Sequence, residues 1–144
     1  MAVLEGTQAR DEIFEAGDGV TNNSDTIYGM DGNDLLKGLG GNDYLYGGNG
    51  SDYISGDAGN DYLEGGVGND SLYGGNDDDR MYGGDGTDMM SGGSGNDTQY
   101  GGDGTDRLEG DNGDDVLYGG EGNEQGSFSA VNDQGNSVSG TGGI

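Results

Sequence analysis

The sequence contains no cysteine, histidine, proline or tryptophan, and only 4 lysine and arginine residues. Each absence closes a class of function. Without cysteine there are no disulfides and no thiolate metal centres. Without histidine there is no imidazole ligand, and the nucleophilic dyads built on either residue are excluded. Without proline, and without glycine at every third position, a collagen helix is excluded. The 4 cationic residues face 29 acidic ones, a formal charge of −25, so nucleic acid would be repelled. No apolar run approaches the ~18 residues that cross a bilayer as a helix, and the first residues show no signal-peptide core. Hydrophobic residues are scarce at 28%. Composition alone therefore describes a disordered acidic chain, unable to bury enough apolar surface to offset the entropy of ordering.

Glycine and carboxylate are abundant, with 37 Gly and 29 Asp plus Glu among 144 residues. Carboxylates without soft ligands point to hard cations, Ca²⁺ before Mg²⁺. Their order carries more than their number. An acid recurs every nine residues at Asp25, Asp34, Asp43, Asp52, Asp61, Asp70, Asp79, Asp88, Asp97, Asp106 and Asp115, and then at Glu124. Two residues after each Asp stands an apolar side chain, from Ile27 and Leu36 through Leu108 and Leu117, with Gln99 the exception. The units read GGNGSDYIS from Gly47, GGVGNDSLY from Gly65 and GGDGTDMMS from Gly83. The first position is Gly in every unit from Gly29 to Gly119, and the fourth is mostly Gly, with Asn23 and Asp77 as departures.

Glycine at the first and fourth positions permits positive φ and close approach of neighbouring backbones. Asn and Asp are the next most tolerant of left-handed backbone. The three residues after the turn form a minimal strand, the middle side chain facing in and its neighbours out. Such a unit buries one apolar side chain, so it is unstable alone and must stack.

These units resemble the RTX (repeats-in-toxin) calcium-binding nonapeptide repeats, G-G-x-G-x-D-x-U-x, over about residues 20–125. The resemblance implies an all-β fold, a right-handed parallel β-roll in which two nonads make one 18-residue coil. It also implies Ca²⁺ between successive loops on the same side, held by the Asp carboxylates and by backbone carbonyls of the turns. The first-position glycines Gly29, Gly38, Gly47, Gly56, Gly65, Gly74, Gly83, Gly92, Gly101 and Gly110 are the expected carbonyl donors. An EF-hand does not fit, because no D-x-D-x-D-G segment is followed by its Glu and flanking helices.

An 18-residue coil sorts the acids into two columns. One is Asp25, Asp43, Asp61, Asp79, Asp97 and Asp115; the other is Asp34, Asp52, Asp70, Asp88 and Asp106, with Glu124 last. Stacked strands sit about 4.8 Å apart, so bare carboxylates would repel strongly. One divalent cation per gap gives about eight to ten Ca²⁺. Nine ions would add about +18, reducing −25 to about −7, which a small soluble domain tolerates. Asp57, Asp77, Asp78, Asp85, Asp103, Asp111 and Asp114 fall outside the sixth position and read as solvated loop charges, with room for an outer ligand among them.

The residues flanking each inward position face out. On the sheet following the Asp25 column they include Tyr28, Tyr44, Tyr46, Tyr62, Tyr82, Tyr100 and Tyr118, which is 7 of the 9 tyrosines. Such a row either stabilises a parallel sheet through aromatic neighbours or offers a docking face for a glycan, a protein partner or a second copy. Residues 1–19 read as a degenerate unit and cap, with Asp11 and Ile13 repeating the spacing and Ile13 and Phe14 placed to cover the open end. Residues 126–144 read as a Gly/Ser/Asn-rich cap or tail, where Phe128, Val131, Val138 and Ile144 would make a weak closing strand.

The expected function is that of a secreted calcium-binding protein that folds on binding several Ca²⁺. Its role would be structural, in assembly into a fibre or surface layer, or in assisting secretion. A glycan-binding or adhesive module using the tyrosine face is the alternative. No catalytic chemistry is expected, because the Asp columns repeat alike and nothing sets a carboxylate pair apart in a cleft. Export by type I secretion follows from the resemblance.

Overall fold

The computed structural model describes residues 3–13, 22–120 and 137–139. They form fourteen strands in chain order. These are β1 (Val3–Glu5), β2 (Glu12–Ile13), β3 (Thr26–Asp31), β4 (Leu35–Lys37), β5 (Tyr44–Asn49), β6 (Tyr53–Ala58) and β7 (Tyr62–Val67). They continue as β8 (Ser71–Asn76), β9 (Arg80–Gly86), β10 (Met89–Ser94), β11 (Thr98–Gly104), β12 (Arg107–Asn112), β13 (Val116–Tyr118) and β14 (Ser137–Ser139). Odd-numbered strands to β13, with β14 at the end, make an eight-stranded sheet, and the even-numbered strands to β12 make a six-stranded one. Every pairing is parallel. The chain alternates between the two sheets, so it winds as a parallel β-roll with two nonads per coil.

Register follows the repeat. Ile27, Leu45, Leu63, Met81, Gln99 and Leu117 are successive partners in the first sheet. Leu36, Ile54, Leu72, Met90 and Leu108 are partners in the second. All are fully buried. A one-residue slip would turn a whole column outward, so the pattern fixes the pairing.

The strands are longer than the three-residue minimum. Most have six or seven residues, because pairing with the next coil continues into the turn: Gly48 pairs with Gly66 and Asn49 with Val67. Stacked turns of identical shape keep their backbone groups opposite one another, as in the 2.8 Å bond from Gly50 N–H to the Val67 carbonyl.

The glycine assignment changes too. Positive φ occurs at the second and fourth positions, where Gly66 has φ 112° and Gly68 φ 143°. The non-glycine residues there, Met30, Leu39, Asp57, Asp77 and Asp111, take φ between 64° and 83°. The first-position glycines are absent from that region; they are required by crowding, described below.

Residues 3–13 add two strands. Leu4 pairs with Ile27 and Ile13 with Leu36, each 23 residues away. A five-residue insertion in this first coil hides its relation to the others. Ile13 is buried; Phe14 lies outside the described residues. At the other end Val138 of β14 pairs with Leu117, while Glu124, Phe128, Val131 and Ile144 lie outside the described residues.

Candidate metal centre

The turns bring the Asp residues together as two buried stacks. Asp25, Asp34, Asp43, Asp52, Asp61, Asp70, Asp79, Asp88, Asp97, Asp106 and Asp115 are all buried, none more than 8% exposed. From Asp34 onward each carboxylate reaches back to the preceding coil, Asp34 Oδ1 accepting from Asp11 N–H at 2.7 Å. Asp43 Oδ1 accepts from Asp25 N–H at 2.7 Å, and Asp70 Oδ1 accepts from Asp52 N–H at 2.8 Å. The same bond recurs along both columns as far as Asp106 and Asp115.

The second oxygen is treated differently. Oδ2 of Asp34, Asp43, Asp52, Asp61, Asp70, Asp79, Asp88, Asp97 and Asp106 is buried with no hydrogen-bond donor. It lies against the first-position glycine of its own turn. A Cβ on Gly65 would stand 2.4 Å from Asp70 Oδ2 and 2.6 Å from the Gly83 carbonyl oxygen of the next coil. The same crowding by the Asp oxygen holds at Gly29, Gly38, Gly47, Gly56, Gly74, Gly83, Gly92, Gly101 and Gly110. Glycine is needed there because a carboxylate oxygen and a main-chain carbonyl converge on the space a side chain would fill. The Gly119 carbonyl of this set accepts from Gly102 N–H at 2.9 Å, but the carboxylate oxygen beside it has no donor, and an orphaned buried carboxylate oxygen is costly. A hard cation offsets that cost.

The donor set fits calcium. No group of three or more acidic, histidine or cysteine side chains converges among the described residues. A cation here must therefore combine one or two carboxylates with backbone carbonyls. Ca²⁺ accepts six to eight such oxygens in flexible geometry, whereas Mg²⁺ holds on to its waters and demands a near-octahedral shell. Gly6 and Asp11 repeat the niche, but there Asp11 Oδ2 accepts from Thr7 N–H at 2.5 Å and from Thr7 Oγ1 at 3.0 Å. Sequence reasoning missed Gly6, although its place five residues before Asp11 is the signal.

Burial raises the carboxyl pKa values along the columns. Asp43, Asp88 and Asp97 are pushed up to about 6, Asp61 and Asp70 to about 7, and Asp79 to about 8. Desolvation is the main cause, opposed by the backbone N–H each group accepts and reinforced by neighbouring acids. The metal-free fold thus resists the ionised state that a cation needs.

Outside the carboxylate stack runs a second ladder, which sequence reasoning also missed. Fifth-position side chains accept from the N–H of the fifth residue one coil on: Asn33 Oδ1 from Ser51 at 3.0 Å, Asn69 Oδ1 from Thr87 at 2.9 Å, Asn96 Oδ1 from Asp114 at 2.9 Å. It points forward along the chain, where the Asp ladder points back. The recurrence of Asn, Ser, Thr and Asp before each column Asp was its signal.

The repeats have a family. A family model described as the RTX calcium-binding nonapeptide repeat matches residues 20–54, 38–72, 55–90, 64–99 and 100–135. The chain belongs to that RTX family. No curated protein matches it. The RTX assignment makes calcium binding a property of these repeats, and the all-β parallel roll is the architecture they build. No helix among the described residues is long and apolar enough to cross a membrane.

The tyrosine face of this RTX roll is a continuous stack. Tyr28 and Tyr46 are parallel at 5.0 Å, Tyr82 and Tyr100 at 4.7 Å, and Tyr100 and Tyr118 at 4.7 Å between ring centroids. Glu64 occupies the place a ring would take between Tyr46 and Tyr82. Tyr62, from the neighbouring row, leans across to lie 5.7 Å from Tyr46 and 5.4 Å from Tyr82, and its hydroxyl donates to Glu64 at 3.0 Å. Tyr44 flanks Tyr62 at 5.8 Å and is half exposed. Arg80 sits over the rings of Tyr82 and Tyr100.

Proposed function

We propose that this chain is an extracellular calcium-triggered folding protein, in which the two Asp columns hold about eight to ten Ca²⁺. The reading is carried by the buried Oδ2 atoms, each without a donor and each facing a main-chain carbonyl across a glycine. Calcium bound in these gaps would be shared between coils, so every ion ties two coils together. Where calcium is scarce the columns repel and the chain stays extended; where calcium is plentiful, binding supplies the folding free energy. RTX repeat proteins are typically extracellular, and a chain that folds only outside the cell suits export in an unfolded state, as in type I secretion. A structural role follows, with no catalytic chemistry.

The tyrosine ladder supports this reading better than it supports glycan binding. Its pairs Tyr28–Tyr46, Tyr82–Tyr100 and Tyr100–Tyr118 lie face to face, so the ring faces between them that would stack on a sugar are occupied. Such pairs contribute about 0.2–1 kcal/mol each to a sheet.

Circular dichroism during a calcium titration, with magnesium as control, tests the proposal. The expected result is coil in chelator and cooperative β structure at about 10⁻⁴–10⁻³ M Ca²⁺. A chain fully folded in chelator at neutral pH, or one that responds equally to magnesium, would overturn it.

A further inference from the structure

The two carboxylate columns share one backbone geometry but not one surrounding. Turns of the Asp25 series carry Asp57 and Asp111 at the second position, Asp77 at the fourth, and Asp78 and Asp114 at the fifth. Turns of the Asp34 series carry extra acids only at the third position, as Asp31, Asp85 and Asp103. Asp57 and Asp77 hold φ of 71° and 73° at positions where most units place glycine. They flank one gap, between the coils of Asp61 and Asp79. Asp61 lies in the field of both, and Asp79 in the field of Asp77. Asp97 lies in the field of Asp78 and Asp111, but the turns bordering each of its gaps carry two extra acids, where those of Asp61 and Asp79 together carry three, Asp57, Asp77 and Asp78. In the other column Asp88 is faced by Asp85 alone among these extra acids, and Asp70 only by its column neighbours Asp52 and Asp88.

The bordering carboxylates point to a ligand independently of that charge. Asp61 and Asp79 are each only 3% exposed. Asp61 Oδ2 has no donor and converges with the Gly74 carbonyl of the Asp79 coil beside Gly56, while Asp79 Oδ1 accepts from Asp61 N–H at 2.8 Å across the same gap. Ser55 Oγ donates to Asp57 Oδ1 at 2.7 Å, which holds that side chain at the strand end of its turn. The gap also lies near the middle of the roll, with coils on both sides onto which folding can spread.

We infer that the gap between the coils of Asp61 and Asp79, flanked by Asp57 and Asp77, is the tightest calcium position of the roll and the place where calcium-driven folding begins. This rests on the column reading above. Asp57 and Asp77 add negative charge without adding bulk to the niche, raising the local cation concentration and the attraction for the bound ion. In a quasi-one-dimensional stack, the coil pair that closes first offers an ordered edge to its neighbours, and folding propagates from it.

The test compares two double variants of the intact chain with equal change in charge: Asp57→Asn with Asp77→Asn, and Asp85→Asn with Asp103→Asn. Asparagine accepts left-handed backbone, so the turns are retained, and matching circular dichroism spectra at saturating calcium verify the fold. Calcium alone is the titrant, followed by circular dichroism and calorimetry, with stopped-flow folding after a calcium jump. The first pair is expected to raise the midpoint about three- to tenfold and to slow calcium-triggered folding, and the second to shift the midpoint less than about twofold. Equal shifts would mean that only net charge matters and would overturn the inference. Absence of any calcium response in the unaltered chain would instead overturn the column reading beneath it.

Discussion

Replacing Asp70 by Asn separates what the carboxylate does for the fold from what it does for the ion. Asp70 Oδ1 accepts from Asp52 N–H at 2.8 Å, and an amide oxygen in the same place keeps that bond. Oδ2 has no donor and converges with the Gly83 carbonyl on the space beside Gly65. An amide nitrogen there replaces the orphaned oxygen and is expected to donate to the nearby carbonyl, a hydrogen bond with a net value of about 0.5–1.5 kcal/mol. It also removes a buried charge whose pKa is raised to about 7 by desolvation. In chelator, Asp70→Asn should therefore be more stable than the unaltered chain. With calcium the order reverses. Asp70 borders two gaps, toward Asp52 and toward Asp88. An ion present at about 10- to 100-fold above its Kd stabilises by about 1.4–2.7 kcal/mol, so weakening two sites costs about 3–5 kcal/mol. Asp70→Ala should lose both, because it removes the Oδ1 acceptor as well. The assay is urea unfolding of the three proteins at about 10 mM Ca²⁺, with the residual β structure of each in chelator compared by circular dichroism. If Asp70→Asn kept the full calcium stabilisation, or fell below Asp70→Ala in chelator, the reasoning would be refuted.

Three further outcomes follow from the same geometry. The column pKa values lie above the unfolded value near 3.8, so protonation stabilises the metal-free fold; that stability is complete below about pH 4 and is lost as pH rises through about 6 to 8. Circular dichroism in chelator should accordingly show more β structure at about pH 4 than at pH 8, while calcium affinity should rise over the same range. Gly65→Ala should destabilise the calcium-bound roll by about 1–3 kcal/mol in urea unfolding, since its Cβ meets Asp70 Oδ2 at 2.4 Å and a fixed main-chain oxygen at 2.6 Å. Gln99→Leu should stabilise by about 1 kcal/mol in the same assay, because Gln99 Oε1 is buried without a donor and its single bond, Nε2 to the Glu109 carbonyl at 2.7 Å, does not offset that cost.

Much of the roll is legible in the order of residues because its repeat is both the structural and the chemical unit. The apolar residue two places after each Asp gave the core, and the spacing of 18 gave the partners: Leu45 meets Leu63 and Asp43 meets Asp61 as the pattern requires. Tyrosine alternation gave the aromatic face. The first coil was harder, because its insertion places Leu4 and Ile13 23 residues from their partners instead of 18. A fixed period cannot register an insertion of free length.

The amino-acid order by itself determined the period, the inward column, the two acidic stacks and the class of cation, since each depends only on which residues recur at nine and eighteen. Tertiary structure decided how each position serves. Only the stacked coils reveal that first-position glycines make room for a carboxylate and a carbonyl, while the second and fourth supply the left-handed backbone. Only they divide each carboxylate into one oxygen that accepts a neighbour's N–H and one without a donor. Those assignments depend on contacts between residues eighteen apart in the chain, which exist only when one coil lies on the next.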